Sequence, residues 1–225
     1  MMGWIAMAAV AQATAAEPAA GIVPATPAAI VSGHMVSHPL DKVVVHVPAA
    51  ASYAGAERFN LYGVADAEIH VFVEADADRK VRRLYWIQFE SYLPSRPDAR
   101  YDYGESDRRA ELGAITTWLR ATPAPTSATP RAGGDTESVR RILDRAGISV
   151  PEEVMSVRMV QLIDDPKGTG YGRRELMIIY SEDLAPTGKT LADLAADGKL
   201  NQAAWMPLEQ QLIERATQAV RIERQ

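Results

Sequence analysis

The fold class predicted by the sequence is α+β: a mainly antiparallel sheet with a mid-chain helix and a C-terminal helix packed on one face. Three observations predict it. Short β-branched and aromatic runs follow one another across turn-length polar gaps, so hairpins outnumber the long crossovers a parallel sheet requires. Residues 135–147 carry an apolar stripe at helical spacing. A second stripe of that kind closes the chain and is long enough to cover a sheet face.

The first residues, Met1 to Ala16, carry no charged side chain, and small residues stand at Ala13 and Ala15. The run is shorter than the roughly 20 residues of a bilayer span, and its A-x-A pattern reads as a signal peptide over 1–16, cut near Ala15 or Ala16. It lacks the Lys or Arg that usually opens such a leader. The expected address is periplasmic or secreted. Residues 17–40 hold Pro18, Pro24, Pro27 and Pro39 among alanines and read as a flexible leader, leaving 41–225 as one α+β domain.

Lys42 to Val47 is a short β-branched strand stopped by Pro48. Glu68 to Glu74 alternates, with Ile69, Val71 and Val73 on one face and Glu68, His70 and Phe72 on the other. From Val81 to Leu93, Tyr85, Ile87 and Phe89 share one face and Leu84, Trp86, Gln88, Glu90 and Tyr92 the other. The polar turn 75–79 predicts a hairpin with Glu74 opposite Lys80, and hence Ile69 opposite Tyr85. In 111–119, Gly113 weakens a helix and Ile115 to Trp118 favour a strand. Residues 121–134 are Pro-rich and read as a loop or an inter-domain linker.

The mid-chain helix starts at Asp135 as its cap, presents Val139, Ile142, Leu143 and Ala146, and stops at Gly147. Val154–Ile163 and Arg174–Tyr180 are apolar on both faces, as strands at the centre of a covered sheet are. Thr190 to Ala196 reads as a short helix. The last helix begins at Pro207 and buries Leu208, Leu212, Ala216, Ala219 and Val220.

Composition narrows the function classes. An apolar fraction of 47% excludes disorder throughout, and the absence of Cys excludes disulfides, thiolate metal sites and a cysteine nucleophile. A net charge of −5 argues against a nucleic-acid partner, and no later segment is apolar for long enough to be a stable membrane span. No cofactor is expected. Gly168-Thr169-Gly170-Tyr171-Gly172 lies between strands, where a dinucleotide fingerprint needs a helix to follow. No metal is expected either: His34 and His38 lack a third ligand nearby, and Asp76 with Asp78 lacks the later ligands of a calcium loop. There is no G-x-S-x-G elbow and no local Ser–His partnership.

The candidate binding face is one side of the predicted hairpin: His70, Phe72, Trp86, Gln88, Glu90 and Tyr92. It mixes aromatic area with a few orienting polar groups, the mixture a ligand pocket needs. Arg173 and Arg174 are weaker candidates for meeting an anion. The expected function is that of an exported soluble protein binding a small or amphipathic ligand or an envelope protein partner. Two alternatives stand beside it: a hydrolase or isomerase with Glu90 or His70 as acid or base, and a structural subunit of an envelope assembly.

Overall fold

The computed structural model describes residues 26–104, 108–113 and 115–225. The signal peptide expected over 1–16 and the first part of the leader lie outside the described residues. In chain order the elements are β1 (Ile30–Ser32), β2 (Met35–His38), β3 (Val43–His46), β4 (Ser52–Leu61), β5 (Ala65–Ala75), β6 (Val81–Tyr92), β7 (Tyr101–Asp102), β8 (Arg109–Leu112), β9 (Ile115–Pro125), α1 (Asp135–Arg145), β10 (Glu153–Leu162), β11 (Tyr171–Gly172), β12 (Arg174–Asp183), β13 (Ala195–Ala196), β14 (Lys199–Leu200), α2 (Gln202–Ala219) and β15 (Arg221–Arg224).

Seven strands pair antiparallel in the order β4-β5-β6-β12-β10-β9-β8, and four more form a small sheet, β1-β2-β3-β15. The α+β class and the antiparallel sheet are those the sequence predicts. The large sheet is covered on both faces, which is why its central strands carry apolar residues on both sides. On one face, Phe72, Ile87, Met159 and Ile178 pack with Trp205, Leu212 and Ala216 of α2 and with Val36 and Val45 of the small sheet. On the other, Ile69, Val71, Leu84 and Trp86 pack with Val139, Ile142 and Leu143 of α1. The C-terminal helix thus covers one face, and the mid-chain helix takes the opposite one.

Each helix end has a local cause. After α1, Gly147 takes φ +63, its N–H bonds Asp144 O at 3.0 Å, and Ile148 N bonds Leu143 O at 3.0 Å. This is the paired closure that favours glycine past a helix end. The N-cap is Gly134, one residue before the expected Asp135. Helix α2 starts five residues before Pro207, because the Asn201 side chain accepts from Ala203 N at 3.1 Å and Ala204 N at 3.4 Å.

Four other expectations are corrected. Residues 30–38 of the expected leader form β1 and β2 about a turn with Gly33 at φ +57, and Val36 is fully buried. The Ala/Pro composition hid a short hairpin. Strand β9 runs to Pro125, so the connection to α1 is 126–134, and the strands before and after it, β9 and β10, pair in the same sheet. Pro123 and Pro125 fit because they alternate: both turn their ring nitrogens from β10 to the side that β8, paired only with Ile115–Trp118, leaves open. Thr190–Ala196 is no helix but a turn leading into β13–β14, whose tip pairs Asp197 at φ 51 with Gly198 at φ 71.

The fourth correction is the β5–β6 register. Glu74 faces Arg83, Val71 faces Trp86 and Ile69 faces Gln88, three residues from the expected pairing. The Asp76 carboxylate accepts from Asp78 N at 3.0 Å and Lys80 N at 2.9 Å, which closes the turn on itself. Val81 N then bonds Ser149 O, the ladder shifts at Glu74/Ala75, and Glu74 takes Arg83 at 2.7 Å in place of Lys80. An odd shift exchanges the faces of one strand relative to the other.

Candidate functional site

The register divides the expected binding face. Trp86, Gln88, Glu90 and Tyr92 lie on the α1 face, whereas His70 and Phe72 lie on the α2 face. Each half joins a different polar cluster, both near the end of the sheet where β5 begins and β6 ends.

On the α1 face, Trp86 Nε1 donates to Gln88 Oε1 at 2.9 Å and Gln88 Nε2 donates to Glu90 Oε2 at 2.6 Å. The alternating residues of β6 thus form a ladder beneath the sheet surface. Tyr101 Oη donates to Glu90 Oε1 at 2.5 Å. Directly across on β12 stands Glu175, which accepts from Tyr103 Oη at 2.9 Å; Arg158 Nη2 donates in turn to that hydroxyl at 3.0 Å. Tyr92 packs at a tilt on Tyr101 at 4.5 Å, and Tyr103 stacks on Trp118 at 5.6 Å.

Burial first, and then the Glu90 charge, push Glu175 from 4.5 up to about 8. Burial also raises Glu90 against the hydrogen bonds of Tyr101 and Gln88. Two adjacent acids under tyrosines hold a proton at neutral pH. The segment covering them is pinned by Arg173, whose Nη1 donates to Arg96 O, Pro97 O and Ala99 O at 2.8, 2.6 and 2.6 Å. Arg173 is therefore a clamp for that segment, with both terminal nitrogens donating to backbone carbonyls.

On the α2 face a cleft of about 70 Å³ opens at the seam between the two sheets. The small sheet contributes His38, the turn between β2 and β3 contributes Leu40 and Asp41, and the large sheet contributes Arg58, Asp66, Glu68, Phe89, Glu90, Ser91 and Arg174. Charges line it in pairs. Arg58 holds Asp66 through two bonds of 2.9 and 2.6 Å, and Arg174 bonds Asp41. His38 Nδ1 lies 2.8 Å from Asp41 Oδ2, and its ring stacks on Phe89 at 4.3 Å. Burial lowers the His38 pKa; Glu68 and Asp66 act to raise it and Arg174 and Arg58 to lower it further, so all four charges act on this ring. Arg174, a weak anion candidate from sequence, is thus a wall of the cleft.

Glu68 joins the cleft to His70. Burial pushes its carboxyl up, but bonds from His70, Ala28 N and Ala29 N outweigh that and hold it below the ordinary range. His70 is not exposed to the cleft; its ring contacts Glu68 and Tyr53. Phe72 is fully buried and packs on Tyr53 at 4.9 Å, so it is a core residue.

The sequence reading did not select His38, Asp41, Arg58, Glu68 or Glu175 as site residues. One signal for them was present: Asp66, Glu68 and His70 alternate along a strand whose other face is wholly apolar, placing three ionisable groups on one face. Among the described residues no cluster of three or more His, Asp and Glu side chains is placed to hold a metal ion, and no helix is long and apolar enough to cross a membrane. No protein-family model matches this chain, and neither a curated protein nor a solved structure matches it.

Proposed function

We propose that this chain is a binding protein whose seam cleft takes a small zwitterion of amino-acid size. The observation that carries the reading is the pairing of opposite charges around the cleft: Arg58 with Asp66 and Arg174 with Asp41. A ligand of one sign would meet a like charge in each pair. A dipolar ligand offers its ammonium to the carboxylates and its carboxylate to the guanidiniums, which suits both. Size supports the same choice. One water needs about 10–15 Å³ of such space, so the 70 Å³ cleft takes about five to seven heavy atoms. The leader-like start of the sequence supports a site of action outside the cytoplasm.

The test is thermal unfolding with glycine, ethanolamine and acetate, which share size but differ in charge. At ten times Kd a ligand of the native state adds about 1.4 kcal/mol. For a chain of this length that raises Tm by about 3–5 °C. Glycine should do so, with ethanolamine and acetate well behind. Equal responses to all three, or none, would overturn the reading.

A further inference from the structure

Tyr53, His70 and Glu68 form a second feature beside the cleft, sharing only Glu68 with it. The Tyr53 hydroxyl lies 3.2 Å from His70 Nδ1, and His70 Nε2 lies 2.9 Å from Glu68 Oε1. Glu68 is fixed in turn by Ala28 N at 2.6 Å and Ala29 N at 2.8 Å. An ionised carboxylate can only accept, so the ring proton sits on Nε2. In the neutral ring Nδ1 is therefore the acceptor for the Tyr53 proton. A hydroxyl, a base within reach of it and a third group orienting the base make up the general signature of an activated nucleophile.

The backbone aims Tyr53 into this arrangement. Ala56, Arg58 and Asn60 of β4 face His70, Glu68 and Asp66, so even-numbered positions lie on the α2 face. Tyr53 is odd-numbered, yet it faces Phe72 on that same face, because the register shifts by one residue between Tyr53 and Gly55. Gly55, at φ +144, makes this bulge accessible. Without the bulge, the Tyr53 side chain would point to the α1 face. His70 is 1% exposed and cannot meet a substrate, whereas Tyr53 is 43% exposed and can.

We propose that Tyr53 is the reactive end of this relay and accepts an acyl group from activated amides or esters. The acyl carbon bonds to Tyr53 Oη, and its bond to the leaving group breaks with the electron pair on the leaving group. The phenolic proton passes to His70 Nδ1, where Glu68 stabilises the charged ring; the leaving group takes its proton from solvent, to which the ring later releases its own. Burial and the Glu68 charge push the phenol up to about 12, so a free phenolate is scarce at neutral pH and proton transfer to His70 is the route to reactivity.

The full chain contains its own control, because Tyr171 is 44% exposed. Tryptic peptides 43–58 and 168–173 each carry one tyrosine, so their mass shifts with N-acetylimidazole report the two rates separately. In the native protein Tyr53 should be acetylated faster than Tyr171 by on the order of tenfold to a hundredfold, within reach of general-base assistance. In urea the two rates should become equal. His70→Gln should bring Tyr53 down to or below Tyr171 while Tyr171 stays unchanged. A Tyr53 rate no higher than that of Tyr171 in the native protein, or an excess that persists in urea, would overturn the proposal. Those two measurements need no variant, so they decide the matter even if His70→Gln does not fold.

Discussion

Replacing Glu175 by Gln should change how stability depends on pH. The folded protein holds the Glu175 proton up to about pH 8, whereas the unfolded chain releases it near 4.5. Between those values the folded state binds more protons, so stability falls as pH rises through the window and levels off above it. One proton difference has a slope of about 1.4 kcal/mol per pH unit, and the 3.5-unit window sets an upper bound of about 5 kcal/mol. Glu175→Gln keeps an acceptor for Tyr103 but has no proton to release, so it removes this slope. His38 acts oppositely: its lowered pKa makes stability rise with pH up to its unfolded value of 6.5. That contribution is common to both proteins and cancels in their difference. Urea unfolding at pH 5, 6, 7 and 8 reads the result. The variant should gain on the wild type steadily from pH 5 to 8, by a few kcal/mol in total. Parallel pH profiles would refute a proton held on Glu175.

Three further outcomes follow from local geometry. Gly55→Val forces a β-branched side chain to φ +144 with its Cβ 3.3 Å from Ile142 Cγ2, and should cost about 1–3 kcal/mol in denaturant unfolding. Arg173→Ala frees the carbonyls of Arg96, Pro97 and Ala99, and should speed amide exchange across 93–104 far more than across β10. Trp205→Ala empties a fully covered position between α2 and the sheet, and should cost about 3–5 kcal/mol.

What could be read from the sequence was what depends on periodicity. The strand runs 68–74, 81–93 and 154–163, the α1 stripe and the antiparallel class all follow from side-chain alternation or helical spacing, and the structure has them. What could not be read was whatever shifts parity. The Asp76 turn and the bulge at Glu74/Ala75 move β6 by three residues, which carries His70 away from Trp86 and Glu90. The bulge before Gly55 moves Tyr53 to the face of His70. Neither leaves an apolar pattern in its own strand, because each depends on a hydrogen bond or a φ value at one residue. The cleft was hidden for another reason. Its walls come from β2, β4, β5, β6 and β12, and His38 lies in a segment whose composition resembles a leader. A site assembled from five strands has no local spacing to betray it.

The zwitterion reading is tested most directly by an NMR titration of the ¹⁵N-labelled chain with glycine. Saturable shifts confined to the amides of 38–41, 66–68, 89–91 and 174 are predicted, with ethanolamine and acetate giving weaker shifts at the same positions. No saturable shift, or shifts gathered instead around Gln88, Tyr101 and Tyr103 on the α1 face, would contradict it.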